Sequence, residues 1–155
     1  MESGHKKQNI IFAVSSFLVS FIVYLLTMAD TVPYWDSGEF IATSYILGVP
    51  HPPGSPLYLI IGRVFSMLPF NPDIAFRVNL ISPLVSAFAI MFLYLSCVKL
   101  IMSYRGKIQS HIDSLIVFGS SLVGSLTFAF TDSHWFNAVE AEVYGFSTFF
   151  TAIVV

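Results

Sequence analysis

The stretch Leu57-Tyr58-Leu59-Ile60-Ile61-Gly62-Arg63-Val64-Phe65-Ser66-Met67-Leu68 decides how this chain is folded, because a crossing here would move every later segment to the other side of a membrane. It is too short to cross. As a helix it rises only about 18 Å, whereas a hydrocarbon core of about 30 Å needs about 20 apolar residues. Arg63 in its middle adds an insertion cost of roughly 2.5 to 3.5 kcal/mol. The spacing therefore predicts an interfacial or re-entrant helix that restarts at Ser55-Pro56, after the rigid tract His51-Pro52-Pro53-Gly54.

On either side lie segments that are long enough. The first runs from about Asn9 to Met28; it follows Lys6 and Lys7 but ends in Thr27-Met28-Ala29-Asp30, a poor cleavage site, which favours an uncleaved anchor. The second runs from about Ile74 to Met102. Asn71 is placed to cap it, Pro72 suits a first helical position, and Asp73 complements the positive end of the dipole and stands four residues before Arg77. Pro83 predicts a kink in this span. The third covers about Ile112 to Thr131, with Ser110 and Asp113 at capping-box spacing. A fourth apolar run begins near Val143 and stops at Val155, which predicts an amino-terminal portion of a longer protein. The expectation is one all-α, polytopic membrane domain over residues 1–155, with short interfacial helices in a first outer loop at residues 29–73.

Composition agrees. The chain is 55% hydrophobic, 16% aromatic and 10% charged, with a mean hydropathy of +0.78, more apolar surface than so small a soluble core can hide. A net charge of -2 and the absence of a basic run exclude a nucleic-acid partner. The single cysteine, Cys97, excludes an intrachain disulfide and a multi-thiolate metal site. With Leu57 to Leu68 kept out of the count, Lys6, Lys7, Lys99, Arg105 and Lys107 fall on one side and only Arg63 and Arg77 on the other. The positive-inside rule then puts the amino terminus in the cytoplasm of a multi-pass protein of the inner (plasma) membrane. Two acidic segments share the outer face: Asp36 with Glu39, and Asp132 with Glu140 and Glu142.

Each acid also has a local role open to it. Asp36 and Glu39 have capping-box spacing, with Gly48 as a stop, and Asn137 and Glu140 repeat the pattern. An acid at the membrane surface can instead be a general base toward a hydroxyl, worth roughly 10² to 10⁴ in rate, or help hold a divalent cation. Helical spacing puts Glu140 and Tyr144 on one face and turns Glu142 away, so at most one of the two acids should face a given pocket. His51 could donate to an anionic phosphate, and Arg63 or Arg77 could do the same. Hydrolase, zinc-protease and nucleotide-loop signatures are absent.

The blocks WDSGEFIATSYILGVPHPPGSPLYLIIGRVF and WFNAVEAEVYGFSTFF resemble the amino-terminal part of a bacterial membrane family known as domain of unknown function 2723. That family is similar to GT-C fold glycosyltransferases, including a eukaryotic protein O-mannosyltransferase branch. The resemblance implies a multispanning enzyme that uses a polyprenyl-phosphate sugar on the outer face, with an acid in the first outer loop. Asp36 matches that acid, with Glu39 beside it in place of an adjacent acidic pair. Glu142 and Tyr144 fall in the family's Glu-Val-Tyr block. The implied chemistry is inverting transfer to a hydroxyl of a protein Ser/Thr or a glycan, with Asp36 as base and Arg63, Arg77 or His51 at the leaving phosphate. The alternatives are a transporter or channel segment whose acids bind protons or cations near the midplane, and a non-catalytic assembly subunit.

Overall fold

The computed structural model describes residues 3–154, and among these every regular element is helical: α1 (Ser3–Thr27), α2 (Ser37–Ile46), α3 (Pro56–Met67), α4 (Ile74–Asn79), α5 (Ile81–Arg105), α6 (His111–Ala129), α7 (Asp132–Ala138) and α8 (Tyr144–Val154). Three stretches are long and apolar enough to cross a membrane: α1, α4 continued by α5, and α6. The chain is a polytopic helical membrane protein.

The three long helices form a bundle with two chemically distinct ends. At one, the starts of α1 and α6 meet through Gln8, whose amide contacts the His111 ring (3.2 Å) and accepts from Ser114 Oγ (3.0 Å). Tyr94 reaches Asn9 from α5 (2.9 Å), and Arg105 pairs with Asp113 beside it. At the other end Tyr24 donates to the Ala129 carbonyl (2.8 Å) and Trp135 Nε1 to Thr27 Oγ1 (3.0 Å). Thus α1 and α6 run parallel, with α5 antiparallel between them. Inside the bundle small hydroxyl residues sit at the contacts: Ser16, Ser20, Ser86 and Ser125 are fully buried, while Leu26 is 79% exposed. Bulk hydrophobicity facing outward and small residues facing inward is the pattern expected when the surrounding solvent is lipid.

Residues 29–79 leave and return at the Tyr24 end. Asn79, fully buried at the end of α4, donates through Nδ2 to the carbonyls of Ala29 (2.8 Å) and Thr31 (2.9 Å), tying the exit of α1 to the entrance of α5. With both ends of this segment at one end of the bundle, the 12-residue α3 packs with α2 and α4 as a cap around Phe40, Ile41, Tyr58, Leu59 and Val78. Gly62 permits the α2 to α3 contact: a Cβ there would lie 2.3 Å from Ser44 Oγ.

Several local expectations change. The helix start near residue 73 is capped by Asp73, which accepts from Ala75 N (2.8 Å), while Asn71 holds Asp73 N (2.8 Å) one step earlier. Arg77 meets the Asp73 carbonyl (3.4 Å) and makes no ion pair with its carboxylate among the described residues. The distortion expected from Pro83 falls at Leu80, near the start of the span. Pro83 lies in the first turn of α5 and cannot donate to the Asn79 carbonyl four residues back, so the boundary between α4 and α5 falls at Leu80. Ser110 and Asp113 do form their box, with Ser110 Oγ accepting from Asp113 N (3.1 Å) and Asp113 reaching Gln109 N (3.2 Å). The third span ends at Ala129, two residues before the expected Thr131, and the short helix α7 follows.

Candidate active site

Asp36 stands where the chain enters α2. Trp35 before it adopts φ of 63°, a left-handed conformation costing a bulky L-residue about 1 kcal/mol or more. Asp36 itself is already helical (φ -72°, ψ -12°), so its side chain makes no capping bond. The expected Asp36 and Glu39 capping box does not form, and both carboxylates are free for other partners. The helix ends on Leu47 in the left-handed region (φ 52°), one residue before the expected Gly48.

The proline-rich loop then folds back over the start of α2. His51 donates its backbone N–H to Glu39 Oε1 (2.9 Å), and its Nδ1 lies 2.6 Å from Glu39 Oε2. Its Nε2 faces Asp36 Oδ2 at 3.9 Å, and its ring packs on Phe40 (5.9 Å). The hydrogen bond to Glu39 pushes the His51 pKa up, with the charges of Glu39, Asp36 and Glu142 adding to it, and the same bond holds Glu39 below the usual carboxylate range. The ligand atoms of Asp36, Glu39 and His51 all lie within 4.8 Å of one another, a spacing that one divalent cation can use.

The second acidic segment arrives on the buried side of α2. Ser37 Oγ, fully buried, donates toward Glu140 Oε2 (3.4 Å) and Glu142 Oε1 (3.5 Å). Both acids therefore reach one serine, contrary to the helical-face argument, because residues 139–143 are not helical. Asn137 and Glu140 make no capping box: Asn137 lies inside α7 and donates to the Ser133 carbonyl (2.7 Å). Ser82 fixes the segment from α5, its Oγ accepting from Glu142 N (3.3 Å) and donating to Glu142 O (3.4 Å). Burial first, and then the charges of Asp36 and Glu140, raise the Glu142 pKa; burial raises that of Glu140. Sequence reading missed Ser37, Ser82 and Asn79 because nothing marks a serine or asparagine as a long-range partner.

The two arginines are committed elsewhere. Arg63 donates to the Tyr45 carbonyl at the far end of α2 and lies over the Tyr45 ring (5.4 Å), about 13 Å along the helix axis from Asp36. Arg77 donates to the carbonyls of Ser66 (2.6 Å) and Leu68 (3.0 Å), closing the end of α3. Both fill the role of helix C-terminal cations. Tyr144 is 59% exposed and lines a different cavity, with His134 and Asn137. No acid lies in the middle of α1, α5 or α6, where a transport pathway would need one.

The family model described as "Protein O-mannosyl-transferase TMEM260 N-terminal domain" matches residues 36–155, beginning at Asp36. This chain belongs to the TMEM260 N-terminal domain family. The match takes in both acidic segments and the helices that hold them. Among curated relatives, the protein O-mannosyl-transferase tmem260 of Dictyostelium discoideum is 26% identical over 151 residues, 96% of this chain and 17% of that protein. The protein O-mannosyl-transferase TMEM260 of Mus musculus is 29% identical over 143 residues, 92% of this chain and 18% of that protein. The chain thus spans less than a fifth of the length of these relatives. No solved structure matches it.

Proposed function

We propose that this TMEM260 N-terminal domain is the membrane-embedded amino-terminal part of a GT-C-type glycosyltransferase, which moves a sugar from a polyprenyl-phosphate donor to a hydroxyl of a protein Ser/Thr or a glycan. The observation that carries this reading is the meeting of Asp36, Glu39 and His51 with Glu142 at the bundle end opposite Arg105 and the amino-terminal lysines. By the positive-inside rule the basic end is cytoplasmic, so the acids face outward, where a lipid-linked donor would present its headgroup.

In the reaction, the acceptor oxygen attacks the anomeric carbon as Asp36 takes its proton. The bond from that carbon to the phosphate oxygen breaks, and its electron pair leaves with the phosphate. Asp36 suits the base because its side chain is 62% exposed and, among the described residues, accepts no hydrogen bond, His51 approaching only to 3.9 Å. Glu39 is engaged by His51 and acts as its support. With Arg63 and Arg77 closing helix ends, His51 is the cation-capable group left to meet the leaving phosphate.

The test is Asp36→Asn in the full-length protein, assayed in liposomes with a polyprenyl-phosphate sugar and a Ser/Thr acceptor peptide. Transfer falls by roughly 10² to 10⁴, with folded yield maintained because Asp36 makes no capping bond. Near-normal turnover would remove Asp36 from the chemistry.

A further inference from the structure

The end of the bundle away from the acids has a chemistry of its own. Lys6, Lys7, Lys99, Arg105 and Lys107 are all exposed there, and Asp113 is the only acid among the described residues of that end. Between the last turn of α5 and the first turns of α6 lies a cavity of 580 Å³, within the roughly 300 to 1,000 Å³ of small-molecule sites. Both helices are spans, so their ends, and the cavity between them, fall where lipid headgroups lie.

The polar part of its wall is rich in donors. Asp113 uses both carboxylate oxygens within the loop: Oδ1 pairs with Arg105, and Oδ2 accepts from Gln109 N (3.2 Å). That pairing offsets the one negative charge and fixes Arg105 in the wall with further N–H groups to give, since a guanidinium carries five. Lys107 lines the same space, is exposed, and makes no ion pair among the described residues. Ser110 Oγ accepts from Asp113 N (3.1 Å), which leaves its hydroxyl proton to donate. Lys6 and Lys7 add to the positive field from the side, because Gln8, next in the chain, touches His111 and Ser114 at the start of α6.

The rest of the wall is apolar. Ile112 is 71% exposed and Ile116 50%, one turn apart on α6, so the second lies about 6 Å deeper toward the bilayer. A free anion gains nothing from two isoleucines, whereas an amphiphile with a charged head and a hydrocarbon tail matches both parts of the wall. We infer that this cavity holds the headgroup of an anionic phospholipid, its phosphate taken by Lys107, Arg105 and the Ser110 hydroxyl, and the start of its acyl chains laid against Ile112 and Ile116. The inference is independent of the glycosyl-transfer reading, whose residues all lie at the other end of the bundle.

The test follows the melting midpoint of the full-length protein in dodecyl maltoside micelles as phosphatidylglycerol, phosphatidylcholine or inorganic phosphate is added. Phosphatidylglycerol raises the midpoint saturably, as a ligand of the folded state does, and the zwitterionic lipid and free phosphate do not. Lys107→Gln raises the half-saturating phosphatidylglycerol concentration about fivefold, the share of one basic side chain at an anionic surface. Lys99→Gln removes the same charge from α5 outside the cavity and changes that concentration less than about twofold. Both lysines are exposed and without ion pairs among the described residues, so neither substitution removes a contact that holds the fold. No rise with phosphatidylglycerol, or an equal rise with phosphatidylcholine, overturns the inference. A matching rise with inorganic phosphate makes this a free-anion site and overturns the lipid assignment, and equal effects of the two substitutions mean diffuse attraction to the whole basic end rather than a site.

Discussion

Replacing Asn79 tests the joint that brings the acids to one end of the bundle. Its side chain is fully buried, and its two N–H bonds to Ala29 and Thr31 are all that the structure provides from this position to the exit of α1. Asn79→Leu keeps the volume and removes both bonds. At about 0.5 to 1.5 kcal/mol net for each bond, the loss is about 1 to 3 kcal/mol. Removing the unpartnered Oδ1 offsets some of this. Asn79→Asp is worse at neutral pH, because it aims a carboxylate at two carbonyl oxygens in a buried place, a fault of about 3 to 5 kcal/mol.

The two variants also differ in pH dependence. With no cation beside it, the buried aspartate has a folded-state pKa above its unfolded value, so stability is recovered below the unfolded pKa and lost as pH rises through the folded one. Asn79→Leu has no such dependence. Melting midpoints of full-length protein in detergent, taken from acid to neutral pH, measure both effects. Protease cleavage within residues 29–36 reports whether the α1 exit has come loose. An Asn79→Asp protein as stable as wild type at neutral pH would refute this account of the joint.

Two further outcomes follow from single contacts. Gly62→Ala drives a Cβ to 2.3 Å from Ser44 Oγ, an overpacking cost of about 1 to 3 kcal/mol that outweighs a helix-propensity gain of about 1 kcal/mol. The melting midpoint therefore falls, and adding Ser44→Gly restores most of it; a Gly62→Ala protein more stable than wild type would mean that α2 and α3 do not touch here. The loop at residues 48–54 is tethered by His51 on Glu39. Since His51 has a raised pKa, the tether is fully formed below the ordinary histidine value and weakens as pH rises through the raised one. Since Glu39 has a lowered pKa, the tether is lost on the acid side only as pH falls through that lower value. Amide exchange in this loop accelerates at high pH in the wild type and is fast throughout in Glu39→Gln, whereas pH-independent protection in both proteins would contradict the tether.

Sequence alone determined the elements whose energetics are local or set by the bilayer. Three apolar runs of spanning length, the short Leu57 to Leu68 helix and the Ser110 cap were legible because length, hydropathy and capping chemistry act over a few turns. Asp36 and Glu39 could be named for a related reason, since charge beside a membrane span is costly to keep from water, whereas Glu142 was singled out only by the family resemblance. What each side chain touches was decided only by tertiary structure. Arg63 and Arg77 read as phosphate ligands until α2 and α3 placed unpaired carbonyls beside them. Asp36 and Glu39 read as a capping box until the loop at residues 48–54 brought His51 to Glu39. Glu140 and Glu142 read as divergent until residues 139–143 proved non-helical and Ser37, more than a hundred residues earlier in the chain, drew both to one hydroxyl. Hydrogen-bonding groups take whichever partner packing supplies, and for buried serines, asparagines and arginines that partner lies on another element, which no local spacing records.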